Sequence, residues 1–304
     1  MTTAAAGDEL ALLINPSAGR GRGARAGRRA AQRLTEAGLA VRTLAGRDVR
    51  EAADLARESV EDGVCALVVV GGDGMVHLGL QAVAGSGTPF GVVPAGTGND
   101  FARALGLPLG DPEAAADTVV AGHVREIDLG RTDGQWFAGV VAAGFDAKVN
   151  DRVNRMRWPK GPRRYDLATF AELGVFTPIP YHLELDGEVL DLEAMLVAVG
   201  NIASYGGGLR ITPGAELDDG VFDVVVVAPV SRLTLVRAFR RVKHGTHTVY
   251  PFVTVHRARR VKLDAPGITA YVDGERLGPL PRTFDVVPRA QRVYAPAAGI
   301  PLDP

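Results

Sequence analysis

The chain contains the run Ala66-Leu67-Val68-Val69-Val70-Gly71-Gly72-Asp73-Gly74, and its architecture can be worked out from there. Its five leading apolar residues, three of them β-branched, are typical of a strand that is buried on both faces of a parallel sheet. The glycines that follow end the strand, and a helix is predicted over Met75–Ala84. A strand, a glycine turn and a helix in succession form the repeating unit of an α/β sheet.

The same alternation continues on both sides of this run, as far as about residue 128. Short apolar runs bounded by turn residues predict strands at Leu10–Ile14, Val41–Leu44 and Phe90–Val93. Helices are predicted at about Arg20–Ala37, at Val49–Glu61 and at Phe101–Leu105, the last capped by Asn99 or Asp100. This order predicts a parallel α/β domain with right-handed crossovers.

In the second half, strands outnumber helices. A hairpin is predicted from Tyr181–Leu185, the turn Asp186-Gly187 and Glu188–Leu192, and a single helix from Ser231–His244. The other segments predicted as strands are Trp136–Ala142, Ala194–Val199, Val221–Val227, Phe252–Val255, Arg260–Leu263 and Ile268–Val272. We therefore expect an α/β domain over residues 1–130 and an antiparallel β-sandwich over residues 131–304, whose last residues are free to pack back on the first domain.

Composition and charge argue against several classes of function. The 304 residues carry a net charge of −1, which disfavours binding to nucleic acid. Because Cys65 is the only cysteine, neither an intrachain disulfide nor a cysteine-based zinc cluster is expected. No apolar run approaches the ~18 residues of a membrane-spanning helix, and the first ten residues lack the apolar core of a signal peptide. We therefore expect the protein in the cytoplasm.

Glycine-rich turns follow three of the predicted strands. They are Asn15-Pro16-Ser17-Ala18-Gly19, Gly71-Gly72-Asp73-Gly74 and Gly96-Thr97-Gly98-Asn99-Asp100. Ligands of open α/β sheets bind at the carboxyl ends of the strands, where glycines and helix amino termini can form a cradle for phosphate. One such turn would be only a turn, but three at neighbouring strand ends favour a nucleotide site.

Known nucleotide motifs narrow the kind of site. The chain has no G-x-x-x-x-G-K-[ST] sequence, so a P-loop is excluded. The segment Gly19–Ala24 matches G-x-G-x-x-A, but the second predicted strand ends in Thr43-Leu44, where a dinucleotide fold would place an acidic ribose ligand. The segment is better interpreted as a flexible basic turn that faces phosphates.

Four segments of the chain form a combination that is more specific than any one of them. They are Asn15–Gly19, Gly71–Gly74, Pro94-Ala95-Gly96-Thr97-Gly98-Asn99-Asp100-Phe101 and Tyr271-Val272-Asp273-Gly274-Glu275. Together they resemble the diacylglycerol kinase family, and more narrowly its soluble bacterial lipid-kinase branch, which is related to sphingosine and ceramide kinases. The resemblance extends over nearly the whole chain and implies a nucleotide-binding α/β domain like that of NAD kinase and phosphofructokinase, followed by a β-rich lipid-substrate domain.

The resemblance implies an ATP site in the first domain. Three positions depart from the family pattern: Met75 replaces a usual Thr, His77 stands where many bacterial members have Asn, and Leu78 replaces a usual Glu. These departures affect contacts to the ribose or base rather than the phosphate cradle. The residues that would line the site are Asn15, Pro16, Ser17, Ala18, Gly19, Thr43, Gly71, Gly72, Asp73, Gly74, Met75, Val76, His77 and Thr97.

The resemblance also implies two uses of Mg²⁺. Asp73 would hold the phosphate-binding loop or the metal, while Asp100 and Asp128 would join a water-mediated Mg²⁺ network. The stretch 216–221 resembles a structural Mg²⁺ loop, in which Asp219 gives a carboxylate and Glu216 and Val221 give carbonyl oxygens. Oxygen ligands suit Mg²⁺. Taken without the resemblance, the same stretch is a plain Asp-Asp-Gly turn.

Glu275 resembles the general base of the family. A carboxylate within hydrogen-bond reach of a lipid hydroxyl can take its proton as the phosphoryl group transfers. By themselves, however, Asp273-Gly274-Glu275 indicate only a hairpin turn with an exposed acid. The catalytic role of Glu275, like that of Asp73, therefore depends on the resemblance.

These residues predict an ATP- and Mg²⁺-dependent lipid kinase that converts diacylglycerol to phosphatidic acid. Other acceptors stay open, among them phosphatidylglycerol or a sphingoid base. A kinase for NAD is disfavoured because a soluble substrate needs neither the late Asp-Gly-Glu nor a basic aromatic cluster. A nucleotide-sensing, membrane-binding module without catalysis is the alternative from another class. Pairing of exposed strands in a homodimer also stays open.

A peripheral position at the inner face of the membrane is expected, because a lipid kinase without a spanning helix must bind the membrane surface. Basic residues mixed with interfacial aromatic residues suit anionic headgroups. A second basic cluster, on the late helix, is expected to be a solvated face; it comprises Arg237, Arg240, Arg241 and Lys243. The first cluster is either such a membrane contact or a solvated face with Trp158 half-buried; it comprises Arg152, Arg155, Arg157, Lys160, Arg163 and Arg164, around Met156, Trp158 and Tyr165.

Overall fold

A computed structural model of the chain describes residues 9–144, 148–149, 152, 156 and 177–297. These residues divide into two compact units. The first contains residues 9–129, 135–138 and 287–297, and the second contains residues 130–134 and the described residues between 139 and 286. The division of the chain at residue 130 stays a prediction; the first unit also contains residues 135–138 and 287–297, which come after that point.

Parallel strands form the centre of the first unit, in the order β2-β1-β3-β4. These strands are β1 (Glu9–Ile14), β2 (Ala40–Leu44), β3 (Ala66–Gly71) and β4 (Phe90–Pro94). The unit also contains β6 (Gln135–Phe137), most of β5 (Val124–Thr132) and the end of β16 (Arg282–Tyr294). Its helices are α1 (Ala18–Gly21), α2 (Gly23–Glu36), α3 (Val49–Glu61), α4 (Asp73–Val83), α5 (Asp100–Ala104) and α6 (Pro112–Ala121).

Alternate residues of the central strands build one core with α2 and α6. Leu12 and Val68 are fully buried there, as is Leu34 of α2. An ion pair between Arg29 and Glu113, at 2.7 Å, joins the two helices at their edge. The predicted α/β alternation is confirmed for residues 9–105, whereas α6 and β5 were not predicted. The two are hard to see in the sequence because the apolar side of α6 is mostly alanine.

The second unit is built of antiparallel strands in two sheets. One sheet has the order β12-β11-β10-β7-β14-β15, and β9, β8, β13 and the start of β16 follow one another in the other. One helix described in this unit is α7 (Arg232–Val242), with a short 3₁₀ helix at Thr246–Val249. The strands are β7 (Val140–Gly144), β8 (Ile179–Leu185), β9 (Glu188–Ala194), β10 (Leu196–Gly200), β11 (Phe222–Val227), β12 (Val253–Ala258), β13 (Arg260–Asp264), β14 (Thr269–Val272) and β15 (Glu275–Pro279).

The predicted fold class, an α/β domain with a separate antiparallel domain, is confirmed. The strand predicted at Trp136–Ala142 is wrong in one respect: it is two strands, β6 and β7, and the chain passes from the first unit to the second between Ala138 and Gly139. The interruption has a physical reason: β6 pairs with β5, whereas β7 pairs with β10 and β14 in the other sheet. Strands β15 and β16 were not predicted.

None of the helices among the described residues has the length and apolar character needed to cross a membrane.

Candidate nucleotide and acceptor site

Three loops of the first unit come together where β1, β3 and β4 end. The Asn15 amide donates to the Val70 carbonyl at 3.1 Å, which places the loop after β1 beside the end of β3. The Ala95 amide donates to the Gly71 carbonyl at 2.8 Å, which places the loop after β4 on the other side. The three glycine-rich turns found in the sequence are therefore neighbours in space, as the common edge of parallel strands requires.

Two of these loops touch backbone to backbone. A Cβ atom on Gly96 would lie 2.4 Å from the Cα atom of Gly72, and one on Gly72 would lie 3.0 Å from the Cα atom of Gly96. Only glycine allows so close an approach without displacing the backbone. Asn99 fixes the second loop, because its Oδ1 accepts from the Gly96 amide at 3.0 Å.

The turn after β1 has an unusual backbone. Gly19 and Arg20 have φ angles of 56° and 64°, so the long helix begins at Gly23 rather than at the predicted Arg20. A Cβ atom on Gly19 would lie 2.1 Å from the Ala95 carbonyl oxygen, so this turn is also packed against the loop after β4. The left-handed conformation and the close approach both explain why glycine is needed at position 19.

An open cavity of about 460 Å³ lies between these two loops. Its lining consists of Gly19, Arg20 and Arg22 from one loop and Gly96 and Thr97 from the other. The backbone allows close approach and two guanidinium groups supply positive charge, a combination that suits phosphate oxygens. Arg20 and Arg22 were not among the residues predicted to line the site. Their position in the basic turn after Gly19 could have indicated them.

Asp73 holds the loops together rather than pointing away from them. Its Oδ1 accepts a hydrogen bond from the Phe101 amide, at 3.1 Å, at the start of α5. Asn99, one of the two residues predicted to cap this helix, is its N-cap residue, but it adopts a left-handed conformation and its side chain makes no capping bond. The cap comes from Asp73, 28 residues earlier, because the contact between the loops brings its carboxylate there.

The charges around Asp73 are compatible with a bound cation. Burial raises the pKa of the Asp73 carboxyl above its usual value, hydrogen bonds from Phe101, Asn99 and Asp100 amides lower it, and the charge of Asp100 raises it. The carboxylate of Asp100 is 2% exposed. Carboxylate oxygens are ligands that Mg²⁺ prefers, and a divalent cation would offset the repulsion between the two negative charges, so the chemistry of the pair fits Mg²⁺.

The third predicted member of that network, Asp128, lies on β5. It is 3% exposed, and its Oδ1 accepts from the Arg289 amide at 2.8 Å. Among the described residues, no group of three or more His, Cys, Asp or Glu side chains stands ready to hold a metal. A direct three-carboxylate site is therefore not present in the described part of the chain, while the water-mediated network stays a prediction.

The other residues predicted to line the ATP site differ in how exposed their side chains are. Thr43 is exposed on β2, whereas Met75 and Val76 are buried, so their side chains belong to the core. His77 lies in the second turn of α4 and is partly exposed, and its carbonyl accepts from the Gln81 side chain at 2.9 Å. Burial gives Met75 a structural reason to be apolar: its side chain packs where Gly71 lacks a Cβ.

The carboxy-terminal Asp-Gly-Glu forms a tight hairpin in the second unit. Asp273 and Gly274 have φ angles of 50° and 88°, as a two-residue type I′ turn requires. Glu275 is exposed at the first position of β15, paired with Val272. Its side chain is therefore available to a substrate.

Gly139 and Asp273 were not predicted as site residues, but they form a contact beside Glu275. The Asp273 carboxylate accepts from the Val140 amide at 3.4 Å, and a Cβ atom on Gly139 would lie within 2.1 Å of both carboxylate oxygens. The absence of a side chain at Gly139 thus admits the carboxylate that anchors the hairpin bearing Glu275. The available signal was a glycine inside an apolar strand, which often marks a close approach.

The loop predicted to hold a structural Mg²⁺ contains an arginine partner. Oδ1 of Asp219 accepts from the Val221 amide at 3.2 Å, and its other oxygen pairs with the Arg257 guanidinium. Arg257 Nε also lies 3.4 Å from the buried carboxylate of Asp223, whose pKa is raised mainly by burial and lowered by Arg257. Arg257 supplies one positive charge for two carboxylates and therefore neutralises them only in part, and the roles of Glu216, Asp219 and Val221 as ligands stay predictions.

Most of the first basic cluster lies outside the described residues. Within it the structure describes Arg152 and Met156, and its proposed contact with membrane stays a prediction.

The chain consists of an α/β unit with three glycine-rich loops at one edge of its sheet, joined in sequence to an antiparallel β unit. A family model described as "Diacylglycerol kinase catalytic domain" matches residues 9–132. A second model, described as "YegS C-terminal NAD kinase beta sandwich-like domain", matches residues 139–295. A diacylglycerol kinase of Mycobacterium tuberculosis is 43% identical over 297 residues, which cover 96% of either chain.

Solved structures agree on the fold. One, described as a putative diacylglycerol kinase from Bacillus anthracis, gives a TM-score of 0.79 at 22% identity, covering 96% of this chain and 99% of its own. An NAD kinase from Archaeoglobus fulgidus, in complex with ATP, gives 0.52 at 13% identity, covering 94% and 93%. The chain belongs to the diacylglycerol kinase family and is a lipid kinase, as its resemblance predicted.

Proposed function

We propose that the protein transfers the γ-phosphoryl group of ATP to the free hydroxyl of diacylglycerol, giving phosphatidic acid. The observation that carries this proposal is the cavity between the loops after β1 and β4, with its glycine backbone and two guanidinium groups. Relatives named diacylglycerol kinase support the choice of acceptor.

The side chains and backbone groups around the cavity have separate roles in phosphoryl transfer. Arg20 and Arg22 neutralise phosphate oxygens, and the backbone of Gly19, Gly96 and Thr97 approaches them closely. Asp73 keeps the loop after β4 in place through the Phe101 amide. Mg²⁺, held by Asp73 and Asp100, would supply charge neutralisation at the β- and γ-phosphates when bound.

Glu275 is the proposed general base. The acceptor oxygen forms a bond to the γ-phosphorus as the bond from that phosphorus to the β,γ-bridging oxygen breaks, and ADP leaves. The hydroxyl proton passes to the carboxylate of Glu275, which is exposed and therefore accessible to the substrate. A lipid acceptor in a bilayer implies peripheral binding at the inner face of the membrane, to which the first basic cluster would contribute.

The experiment is transfer of labelled γ-phosphate from ATP, with Mg²⁺, to diacylglycerol, phosphatidylglycerol, sphingosine and ceramide in mixed micelles, with NAD as the soluble acceptor. We expect label in phosphatidic acid. We also expect the Arg20→Gln/Arg22→Gln variant to raise the KM for ATP by about 100-fold, since each lost charge-assisted contact costs about 1.5 kcal/mol or more. The matched control is Arg50→Gln/Arg292→Gln, which removes the same charge at two exposed positions of the first unit.

Label in another lipid would overturn the choice of diacylglycerol but not of the kinase class. An unchanged KM for ATP in the Arg20→Gln/Arg22→Gln variant would contradict the assignment of the cavity to the phosphates.

A further inference from the structure

One segment of the second unit is free of acidic residues over a long stretch. From Val224 to Leu263 the sequence has nine Arg or Lys residues and no Asp or Glu, although the chain as a whole carries a net charge of −1. The segment includes the end of β11, then α7, β12 and most of β13. Positive charge is therefore concentrated in this part of the fold.

Six cations of this segment have no ion-pair partner among the described residues, and five of them lie on the outward face of α7 or just past its end; the sixth is Arg259. Leu235, Ala238 and Val242 are buried and attach the helix to its unit. The other three cations of the segment are paired: Arg257 with Asp219, Arg260 with Asp285 and Lys262 with Glu184. The exposed cations of α7 and its carboxy-terminal end are Arg232, Arg237, Arg240, Arg241 and Lys243.

A hydrophobic side chain lies among these charges. Leu233 is 60% exposed. It precedes Arg237 by four residues and Arg240 by seven, so the three share one stripe of the helix. Leu233 lies at the amino-terminal end of this stripe, so the face that the sequence led us to expect as solvated also presents an apolar side chain beside its cations.

The carboxy-terminal end of α7 is held firmly. The guanidinium of Arg241 lies over the ring of Tyr250, 5.1 Å from its centroid, and Tyr250 stacks on Phe252 at 4.9 Å. The Arg210 amide donates to the Val242 carbonyl at 3.0 Å. The cations therefore project from a helix that is fixed at one end, and binding would order little additional chain.

We propose that the outward face of α7 is a docking surface for an anionic phospholipid bilayer, with Leu233 inserted between headgroups and the surrounding cations at the phosphate level. Each Lys or Arg near an anionic membrane surface contributes about 1 kcal/mol, and an exposed leucine beside such residues adds apolar area to bury. Diacylglycerol is neutral, so attraction must come from the other lipids of the bilayer. The proposal rests on the proposed function, because it assumes an acceptor that resides in a membrane.

The experiment measures binding of the full chain, without ATP, to phosphatidylcholine vesicles with and without phosphatidylglycerol. We expect binding only to the vesicles with phosphatidylglycerol, weakened by added salt. The Arg237→Gln/Arg240→Gln variant should bind about 30-fold more weakly, at about 1 kcal/mol for each cation near the surface. Leu233→Ser should weaken binding about tenfold, since it removes an apolar side chain from the bilayer.

The control is again Arg50→Gln/Arg292→Gln, which should bind these vesicles like the unaltered chain. Activity towards a short-chain, water-soluble diacylglycerol should be unchanged by all of these α7 variants, so failure of docking and failure of the kinase reaction are distinguished. Vesicle binding that is insensitive to Arg237→Gln/Arg240→Gln would overturn the proposal. A second pattern of results would also overturn it: Arg237→Gln/Arg240→Gln loses vesicle binding, Leu233→Ser does not, and a soluble polyanion competes equally with the vesicles. That pattern would assign the face to a polyanion instead.

Discussion

Two hairpins of the second unit have the same three residues at their tips. Asp186-Gly187-Glu188 joins β8 to β9, and Asp273-Gly274-Glu275 joins β14 to β15. The two aspartates both have φ angles of 50°, and both glutamates are exposed and pair with the residue before the turn. As local structures, the two turns are nearly the same.

They differ in what their aspartates hold. Asp186 accepts from the amides of Arg260 and Arg259, at 2.8 and 3.1 Å, at the start of the strand beside its own hairpin. Asp273 reaches instead to Val140, 133 residues away, over the bare backbone of Gly139. The first turn is anchored to the strand beside its own hairpin, while the second is anchored to the point where the chain enters the second unit. The two turns share one conformation and differ in the contact that holds them.

The sharpest test of this difference exchanges the glutamates for glutamine, one at a time. Glu275→Gln should lower kcat for lipid phosphorylation by about 10³-fold, within the range for loss of a general base, with little change in the KM for ATP. Glu188→Gln should leave kcat unchanged, because its hairpin plays no part in the reaction. Equal kcat values for the two variants, measured by transfer of labelled phosphate, would remove Glu275 from the mechanism.

A methyl group at Gly139 should disturb only the second hairpin. In Gly139→Ala the new Cβ overlaps the Asp273 carboxylate, which must move and give up the Val140 amide. A displacement of about 1 Å at Glu275 is expected to lower kcat by up to about 100-fold, while ATP affinity by calorimetry stays the same.

The Gly139→Ala/Asp273→Ala double variant provides the control for this prediction. Its kcat should match that of Asp273→Ala alone, since the two residues act through one contact. Additive losses would show that Gly139 acts on something other than the hairpin.

The smallest effect should come from removing the aspartates. Asp186→Ala and Asp273→Ala carry the same cost of alanine at a φ of 50°, and both leave backbone amides without an acceptor. We expect each to reduce the free energy of unfolding by about 1–3 kcal/mol, measured with denaturant. Only Asp273→Ala should also lower kcat. A fall in kcat of the same size in Asp186→Ala would break the distinction between the hairpins.

Local patterns were enough to predict most elements of the first unit and the fold class. The β-branched run before Gly71 predicted a buried strand, and the regular spacing of strands and helices predicted a parallel sheet, since both depend on neighbours in the sequence. The break at Gly139 and the strands β15 and β16 could not be predicted in this way. Their positions depend on contacts with residues more than a hundred positions away, such as Asp273 with Val140.

The sequence by itself determined that the loops after β1, β3 and β4 lie at one edge of a sheet, because parallel strands present their carboxyl ends together. Only the tertiary structure decided what those loops do to one another. Gly72 and Gly96 meet because neither has a Cβ, and that contact brings Asp73 to the Phe101 amide instead of the cap expected from Asn99. The chain itself fixes which residues are neighbours in sequence. Tertiary packing decides which distant residues come into contact, and a local sequence pattern does not predict those contacts.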